Sequence, residues 1–346
     1  MEEETAIAWP APKRATIAPV FMPNWACPGR CAFCSQRIQT GSDASPKDLD
    51  KLLAEAERGL LNRPGEPPEL AFYGGTFTAL PEPAWRKCLD FARSARDRGL
   101  ISGFRCSTRP DTLSPRRLRE AREAGCRLIE LGIQTFNDRA LEKSGRGLRG
   151  EDNARALELC AEHDLPAGAH LMSGLPGSGP GDFVADVEKS LGLGCACLRF
   201  HPCLTLAGSP LEKLWRSGRY SPPGLSETLD LLARGLLLAQ RKGTPVIRVG
   251  VAPEAGLREA VLAGPWHPAL GSRAMGRAML LAAREACTPS LKISELSLPR
   301  RARGHWLGDK GELAEAWSAL GVQRERVRWH DEQKIILKLG ADVPGQ

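Results

Sequence analysis

The sequence predicts an α/β fold, in which a partial β/α barrel is followed by a C-terminal α+β extension. Six short apolar runs alternate with longer segments of helical periodicity, as in successive parallel βαβ units. The glycine-rich and polar stretches come directly after the strands, where a β/α barrel builds its active site. No G-x-G-x-x-G follows the first strand, which argues against a dinucleotide-binding sheet. We therefore expect a partial (β/α)6 TIM-like barrel.

The elements of this barrel can be read in order along the chain. The predicted strands are TIAPVFM, ELAFYGG, GFRCST, CRLIELGIQ, AGAHLMSGLPG and CACLRFHP. The predicted helices span residues 46–61, 83–98, 114–124, 138–143, 152–163 and 181–193. Ser114 is a suitable N-cap for the third helix, and Gly125 is a suitable stop.

The chain is expected to have three parts. These are an N-terminal segment over residues 1–14, the barrel over 15–205, and a helical and α+β extension over 206–346 that includes a strand near TPVIRVGV. The 346 residues are enough for one barrel-sized domain with such an addition.

The composition is that of an ordinary globular protein, with 42% hydrophobic and 26% charged residues. No stretch offers the roughly twenty uninterrupted apolar residues of a membrane span, and the start does not resemble a signal peptide. We therefore expect a cytoplasmic protein with no membrane partner. The net charge of +7 permits an anionic partner such as nucleic acid without requiring one.

Three of the eleven cysteines lie within eight residues, at C-x-x-x-C-x-x-C spacing: Cys27, Cys31 and Cys34. Thiolates suit zinc or iron–sulfur clusters, but a structural zinc site usually has four ligands. Three thiolates on a four-iron cubane would leave one iron open to an external ligand. On spacing alone, zinc or metal-free thiols remain open alternatives. The other eight cysteines could host a second cluster, with Cys195, Cys197 and Cys203 close together, but the first two would alternate faces of the sixth strand and we interpret them as core thiols.

The cysteine loop resembles the radical S-adenosylmethionine (SAM) superfamily, whose signature C-x-x-x-C-x-aromatic-C is matched by Cys27, Cys31, Phe33 and Cys34. The resemblance implies a 4Fe–4S cluster on the three cysteines, with SAM chelating the open iron and Phe33 near the adenine. It also implies reductive cleavage of SAM to a 5′-deoxyadenosyl radical that abstracts hydrogen from a substrate. A reductant such as flavodoxin or ferredoxin would then be a partner.

Three later motifs extend this resemblance and supply the rest of the expected SAM site. In FYGGTFT, Gly74 and Gly75 correspond to the motif that meets the methionine amine, and Thr76 stands where the superfamily frequently has Glu. Gln134 matches a ribose-binding glutamine and Arg146 an arginine on the SAM carboxylate, although a solvated arginine is the alternative. His170 and Gly174, in HLMSGLPG, match positions that contact the ribose and the adenine. A histidine that is merely a satisfied core residue is the alternative for His170. No residue is assigned as a catalytic acid or base.

The segments STRPDTL, GGTFT and ELGIQTF look most like the radical SAM part of the Elongator catalytic subunit, and other segments resemble stand-alone coproporphyrinogen-oxidase-like relatives. About fifty residues follow LKISELS, too few for the acetyltransferase domain of the Elongator subunit. The substrate is therefore open between a tRNA base and a small molecule. A non-enzymatic iron–sulfur or zinc protein that binds RNA is a further alternative.

The C-terminal tail is the candidate for RNA contact. Arg324, Arg326 and Arg328 would line one face of a strand, with Trp329 free to stack on a base. The alternative is a solvated strand with one buried tryptophan.

Overall fold

The computed structural model describes residues 3–9, 16–35, 38, 45–251, 256–287 and 291–341. The strands are β1 (Glu3–Ala8), β2 (Ile17–Phe21), β3 (Glu69–Tyr73), β4 (Gly103–Thr108), β5 (Cys126–Gln134), β6 (Ala167–Ser173), β7 (Cys197–Pro202), β8 (Thr205–Leu206), β9 (Val246–Val249), β10 (Val261–Ala263), β11 (Leu291–Pro299), β12 (Arg328–His330) and β13 (Lys334–Ala341). The α-helices are α1 (Leu49–Leu61), α2 (Glu82–Asp97), α3 (Pro115–Glu123), α4 (Asp138–Lys143), α5 (Gly150–Glu162), α6 (Asp182–Gly192), α7 (Pro210–Arg216), α8 (Leu225–Arg241), α9 (Leu257–Ala260), α10 (Leu270–Ala286) and α11 (Ala314–Ala319).

A seven-stranded parallel sheet, in the order β2-β3-β4-β5-β6-β7-β9, forms the curled half-barrel. The predicted α/β fold is thus confirmed, and β5 and α4 have the predicted bounds. The local capping prediction also holds, since the Ser114 side chain accepts from the Arg117 backbone N–H and Gly125 adopts a positive φ of 95°. Side chains that point outward from the sheet meet the helices in one large apolar core.

The sheet has one strand more than expected. Strand β9 pairs in parallel with β7, with Leu198 opposite Val246, although the sequence places this strand in the C-terminal extension. The intervening chain contains α7 and the long helix α8, which packs against β6, β7 and β9. The sheet therefore continues past residue 205, and the boundaries of the three expected parts stay a prediction.

A second sheet, in the order β1-β13-β11-β12, joins the two ends of the described chain. Strand β1 runs antiparallel to β13, with Glu3 opposite Leu339. The inward face of β13 carries the fully buried Ile335 and Leu337. The N-terminal strand thus belongs to the same sheet as the C-terminal part of the chain.

The predicted strand with three aligned arginines is wrong. Arg324–Arg326 forms a 3-10 turn, and Arg328 alone of the three lies on a strand, β12. Trp329 is partly buried, with its ring 6.2 Å from that of Trp306 and the Arg303 guanidinium 5.7 Å from its centroid. Trp329 therefore packs within the molecule, as the alternative interpretation expected.

All eleven cysteines are free thiols, and the interpretation of the eight outside the loop as core residues agrees with their burial. Seven of them are buried: Cys88, Cys106, Cys126, Cys160, Cys195, Cys197 and Cys203. Burial raises the pKa of Cys195 and of Cys203 to about 12, so both stay protonated at neutral pH. The sequence interpretation placed Cys195 on the sixth predicted strand. In the structure, Cys195 lies just before that strand, β7.

Within the described parts of the chain, no helix combines the length and the apolar character that crossing a membrane requires.

The packing of α10 against the C-terminal region gives a stability prediction. A Cβ on Gly276 would overlap the His305 carbonyl oxygen, so Gly276→Ala should lower the free energy of unfolding by about 1–3 kcal/mol. The matched change Gly59→Ala meets no atom within 4 Å and should stabilise helix α1 by about 0.5–1 kcal/mol. Urea denaturation of both variants measures the change in the free energy of unfolding. Equal changes in the two variants would contradict the close contact between Gly276 and the His305 carbonyl.

Candidate active site

The cysteine loop begins as an extension of the pairing between β2 and β3. Beyond the strand ends, the Met22 N–H donates to the Tyr73 carbonyl at 2.7 Å and the Asn24 N–H donates to the Gly74 carbonyl at 2.8 Å. The Thr76 N–H then donates to the Trp25 carbonyl at 2.9 Å. These bonds fix the start of the loop to the end of the neighbouring strand.

Gly74 and Gly75 allow the backbone of the cysteine loop to approach the end of β3. A Cβ on Gly75 would lie 2.6 Å from the Trp25 oxygen and 2.8 Å from the Met22 oxygen, so no side chain fits there. Gly74 has a φ of +95°, which a residue with a side chain rarely adopts. In the structure, both glycines are needed for the approach of the loop backbone, a packing role that the sequence interpretation did not assign.

Each thiol of the loop has a polar neighbour. The Cys27 sulfur lies 3.2 Å from Thr76 Oγ1, and Asn24 Nδ2 donates to the Cys34 sulfur at 3.7 Å. Cys27 and Cys34 are partly exposed, whereas Cys31 is buried. Among the described residues, no three His, Cys, Asp or Glu side chains lie close enough together to bind one metal ion as they stand. The assignment of the three cysteines as ligands stays a prediction.

Two buried arginines surround Cys31. Arg146 donates from Nη1 to the Cys31 sulfur at 3.3 Å and from Nη2 to the Gly132 carbonyl, while its Nε has no partner. Arg109 donates to the same sulfur at 3.8 Å and to the Arg146 carbonyl at 2.6 Å. Arg146 is therefore buried and not a solvated arginine, and its assignment to the SAM carboxylate stays a prediction. Arg109 was not predicted, although its place at a strand end in STRPDTL is the signal that could have found it.

The carboxylate of Asp111 holds Arg109 in place. It accepts from Arg109 Nε at 2.9 Å and from Nη2 at 2.7 Å. Burial opposes the charged form of Arg109, but the bonds to Asp111 outweigh it and the pKa of the guanidinium is raised. A fixed positive charge thus stays beside the Cys31 sulfur.

An apolar cap, formed by residues 203–223, covers the cysteine loop. The Leu211 N–H at the start of α7 donates to the Ala32 carbonyl at 2.9 Å. Leu211 and Tyr220 pack in one buried cluster with Phe33. The Tyr220 hydroxyl also donates to the Gly174 carbonyl at 2.7 Å. The cap therefore touches both the cysteine loop and the Gly-Leu-Pro-Gly turn after β6.

The predicted ribose residue Gln134 ends β5 with a φ of +68°, an uncommon conformation for a residue with a side chain. The loop that follows is anchored by Asp186 of α6, whose Oδ1 accepts from the Phe136 N–H at 2.7 Å. Burial raises the pKa of Asp186 to about 6. The observed outlier at Gln134 is the kind of strain that concentrates at functional sites.

The inside of the half-barrel holds a carboxylate that sequence reasoning missed. Glu130 is fully buried and accepts from Tyr73 Oη at 2.7 Å, His170 Nε2 at 2.8 Å, and the guanidiniums of Arg199 and Arg105. Burial alone would raise its pKa, but His170 and Arg199 reverse this and hold the pKa of Glu130 well below its usual range. We call Tyr73, Arg105, Glu130, His170 and Arg199 the lumen network.

The tautomers of two neighbouring histidines follow from their acceptors. His170 donates from Nε2 because the Glu130 carboxylate only accepts. Burial lowers the pKa of His170, so the ring is neutral and its Nδ1 carries the lone pair. His201 donates from Nδ1 to the Gly250 carbonyl at 3.2 Å, which leaves its Nε2 unprotonated. Burial, with nearby positive charge, lowers the pKa of His201 to about 3. Both imidazoles are therefore neutral hydrogen-bond acceptors at the lumen.

The structure places the predicted residues at neighbouring strand ends. Cys27 contacts Thr76 and Cys31 contacts Arg146, and Phe33 and Gly174 both meet the cap. His170 points to Glu130, so the core-residue alternative describes its visible contact. No bound molecule tests the assignments to SAM, which stay predictions.

Comparisons with known proteins agree with this arrangement. Residues 26–189 match the family described as the Radical SAM superfamily, and residues 195–279 match the Radical_SAM C-terminal domain. The tRNA uridine(34) acetyltransferase of Methanocaldococcus jannaschii is 25% identical over 258 residues, which cover 63% of this chain and 48% of that protein. The chain thus spans about half the length of this curated relative.

Two solved structures share the fold. An Elp3 of Methanocaldococcus infernus with an N-terminal deletion has a TM-score of 0.58 at 18% identity, over 79% of this chain and 63% of its own. Coproporphyrinogen III oxidase of Escherichia coli, described as a radical SAM enzyme, has a TM-score of 0.51 at 19% identity. The match covers 66% of this chain and 53% of that chain. At such identities the likeness shows the fold alone.

The charge balance of the lumen network gives a testable prediction. Glu130→Gln should lower the free energy of unfolding at neutral pH by about 3 kcal/mol, because the Arg199 guanidinium loses its counter-charge and Arg105 keeps only Glu69. The folded pKa of Glu130 lies below its unfolded value of about 4.3, so its stabilisation is present above that pH and lost as the pH falls. The difference in free energy of unfolding between the wild type and Glu130→Gln, measured by urea denaturation, should therefore shrink as the pH falls.

The control for this prediction is Glu162→Gln. Glu162 is exposed and pairs with Arg155 at the surface, so its loss should leave the denaturation midpoint nearly unchanged. Equal midpoints for the wild type and Glu130→Gln at neutral pH would show that the network does not stabilise the fold.

Proposed function

The chain belongs to the radical SAM superfamily, and from this premise we propose that it cleaves S-adenosylmethionine reductively and directs the resulting radical to a substrate at the barrel lumen. Enzymes of this superfamily use a 4Fe–4S cluster together with SAM. The observation that carries the proposal is the loop of three free thiols with two buried arginines on its middle sulfur.

The residues of the site fit these two groups. Cys27, Cys31 and Cys34 are soft ligands on one loop, and each sulfur has a hydrogen-bonding neighbour that suits a thiolate. The unpartnered Nε of Arg146 is a buried donor, as expected beside a group that would accept from it. When bound, the cluster and SAM supply a one-electron cleavage of the C5′–S bond, which yields methionine and a 5′-deoxyadenosyl radical that removes hydrogen from a substrate.

The side chains of this chain hold and orient the reactants. Arg146 would form a charge-assisted bond with the SAM carboxylate, and Gln134 would bond the ribose hydroxyls. The lone pair on His170 Nδ1 would accept from a ribose hydroxyl while Glu130 holds the imidazole in that tautomer. Gly74 would meet the methionine amine through its backbone, together with Gly75 and Thr76.

The apolar cap excludes water from the reaction. Phe33 lies 8% exposed, in a cluster with Leu211 and Tyr220, and would cover the adenine. Tyr220 holds the Gly174 carbonyl, so the turn that would meet the adenine keeps its shape. A dry site protects a reactive intermediate from side reactions. We also assign the chain to the cytoplasm, where thiols stay reduced.

The cysteine assignment gives the test of this proposal. After anaerobic reconstitution with iron and sulfide, the wild type should be brown and should release 5′-deoxyadenosine from SAM and dithionite. Cys34→Ala should lose both the iron–sulfur absorbance and the product, because one cluster ligand is gone. The measurements are the absorption spectrum, iron content and chromatography of the product.

The control is Cys287→Ala, which removes a partly buried thiol outside the loop and should retain both properties. An intact cluster that releases no 5′-deoxyadenosine would favour a non-enzymatic iron–sulfur protein. Retained turnover in Cys34→Ala would reject the ligand assignment.

A base in tRNA is the substrate class we propose. The support is the similarity to the tRNA uridine(34) acetyltransferase of M. jannaschii and an exposed basic surface on the C-terminal region. We call the exposed residues Arg300, Arg301, Arg303, Arg324, Arg326 and Arg328 the arginine face; of these, Arg300 pairs with Asp331 and Arg328 with Glu295. A coproporphyrinogen-oxidase-like reaction on a small molecule is the competing candidate, favoured by the polar lumen network.

Salt dependence separates these two candidates. If the arginine face binds phosphates, tRNA retention by the full chain should weaken at least about tenfold between low and physiological salt. Replacing Arg324, Arg326 and Arg328 together by Ser should flatten that dependence. Weak, salt-independent retention by the wild type would remove tRNA and leave the small molecule.

A further inference from the structure

Exposed positive charges lie on the cysteine loop and on two segments that contact it. We define this basic collar by residues on the loop, on and after α4, and on and after α7: Arg30, Arg139, Lys143, Arg149, Lys213, Arg216 and Arg219. All seven side chains belong to exposed residues. The same three segments carry three acids, which leaves four exposed positive charges in excess.

Backbone hydrogen bonds bring the three segments together. The Ala32 N–H donates to the Ser144 carbonyl after α4, and the Ala32 carbonyl accepts from the Leu211 N–H of α7, both at 2.9 Å. A Cβ on Gly145 would lie 3.7 Å from the Arg30 carbonyl, so the loop also touches this end of α4 directly. The collar is therefore built around the loop by the same contacts that hold it.

Most of the collar is available to a partner. Arg149 pairs with Asp138, and Arg216 pairs with Glu212. Within the described residues, no ion pair is recorded for the remaining five: Arg30, Arg139, Lys143, Lys213 and Arg219. Charges that lack a local counter-charge raise the association rate of an oppositely charged partner.

We propose that the basic collar is the docking surface for an acidic one-electron donor protein, an inference that rests on the proposed function. Each cleavage consumes one electron: the donor is oxidised by one electron, the sulfonium of SAM takes up that electron as the C5′–S bond breaks, and no proton moves in the transfer. Electron transfer weakens steeply with distance, so the donor must dock where the loop reaches the surface. That point is Gly29 and Arg30, both exposed, between the partly exposed Cys27 and the buried Cys31.

The position of the collar favours a protein donor over RNA. A substrate must reach the lumen network on the inner side of the sheet, where Glu130 is fully buried. A donor needs to reach only the exposed edge of the cysteine loop. The arginine face of the C-terminal region is a separate basic surface, so RNA contact does not require the collar.

The test compares two variants of the full chain with the same change in charge. The collar variant carries Lys143→Glu, Lys213→Glu and Arg219→Glu, all at exposed positions that leave the buried contacts of Leu211 and Tyr220 in place. The control carries Arg119→Glu on α3, Arg234→Glu in the middle of α8 and Lys242→Glu just after α8, all at exposed positions. Surface plasmon resonance with an acidic flavodoxin at low ionic strength should give a dissociation constant at least about tenfold weaker for the collar variant and within about threefold of the wild type for the control.

Turnover with two donors completes the test. With reduced flavodoxin, release of 5′-deoxyadenosine by the collar variant should slow by about tenfold. With reduced methyl viologen, a small cation that needs no acidic patch, the rate should match or exceed that of the wild type. A wild type that is inactive with both donors would instead contradict the proposed function.

Two results would overturn the docking surface while leaving the proposed function intact. One is a collar variant that binds flavodoxin and turns over with it as the wild type does. The other is a collar variant that keeps these properties but loses tRNA retention, which would make the collar an RNA surface.

Discussion

The site depends on the backbone contact between the start of the cysteine loop and the end of β3. The hydrogen bonds from Asn24 to Gly74 and from Thr76 to Trp25 continue the parallel pairing past the strand ends. Gly75 permits this because its missing Cβ leaves room for two carbonyl oxygens. The position of the three thiols depends on this fixed start, whereas Arg109 and Arg146 reach Cys31 from the chain beyond β4 and beyond α4.

Most of the barrel could be predicted from the sequence because its elements are short and clearly bounded. Alternation of apolar runs and helical segments located β2 to β7, and the cap at Ser114 has a local chemical signal. Strand β9 could not be placed because its pairing with β7 crosses more than forty residues of intervening chain. The contact of β1 with β13 spans nearly the whole chain and has no local signal either.

The predicted site residues were found by motif, and the missed ones are those whose role depends on tertiary contacts. Glu130 sits in an apolar strand, and only the fold reveals that Arg105, Arg199 and His170 meet it. Arg109 was visible in a quoted motif, but its contact with Cys31 joins residues 78 positions apart. The arginine tail shows the opposite error, since a period-two pattern in Arg324–Arg326 formed a 3-10 turn and not a strand.

One stretch of chain, residues 203–223, touches two places that are far apart in sequence. It bonds the cysteine loop through Leu211 and the turn after β6 through Tyr220. Under the proposed function, these two buried contacts would couple iron retention to nucleoside affinity, whereas the exposed side chains of the same stretch would not. A substitution at Leu211 or Tyr220 is therefore expected to alter both properties together.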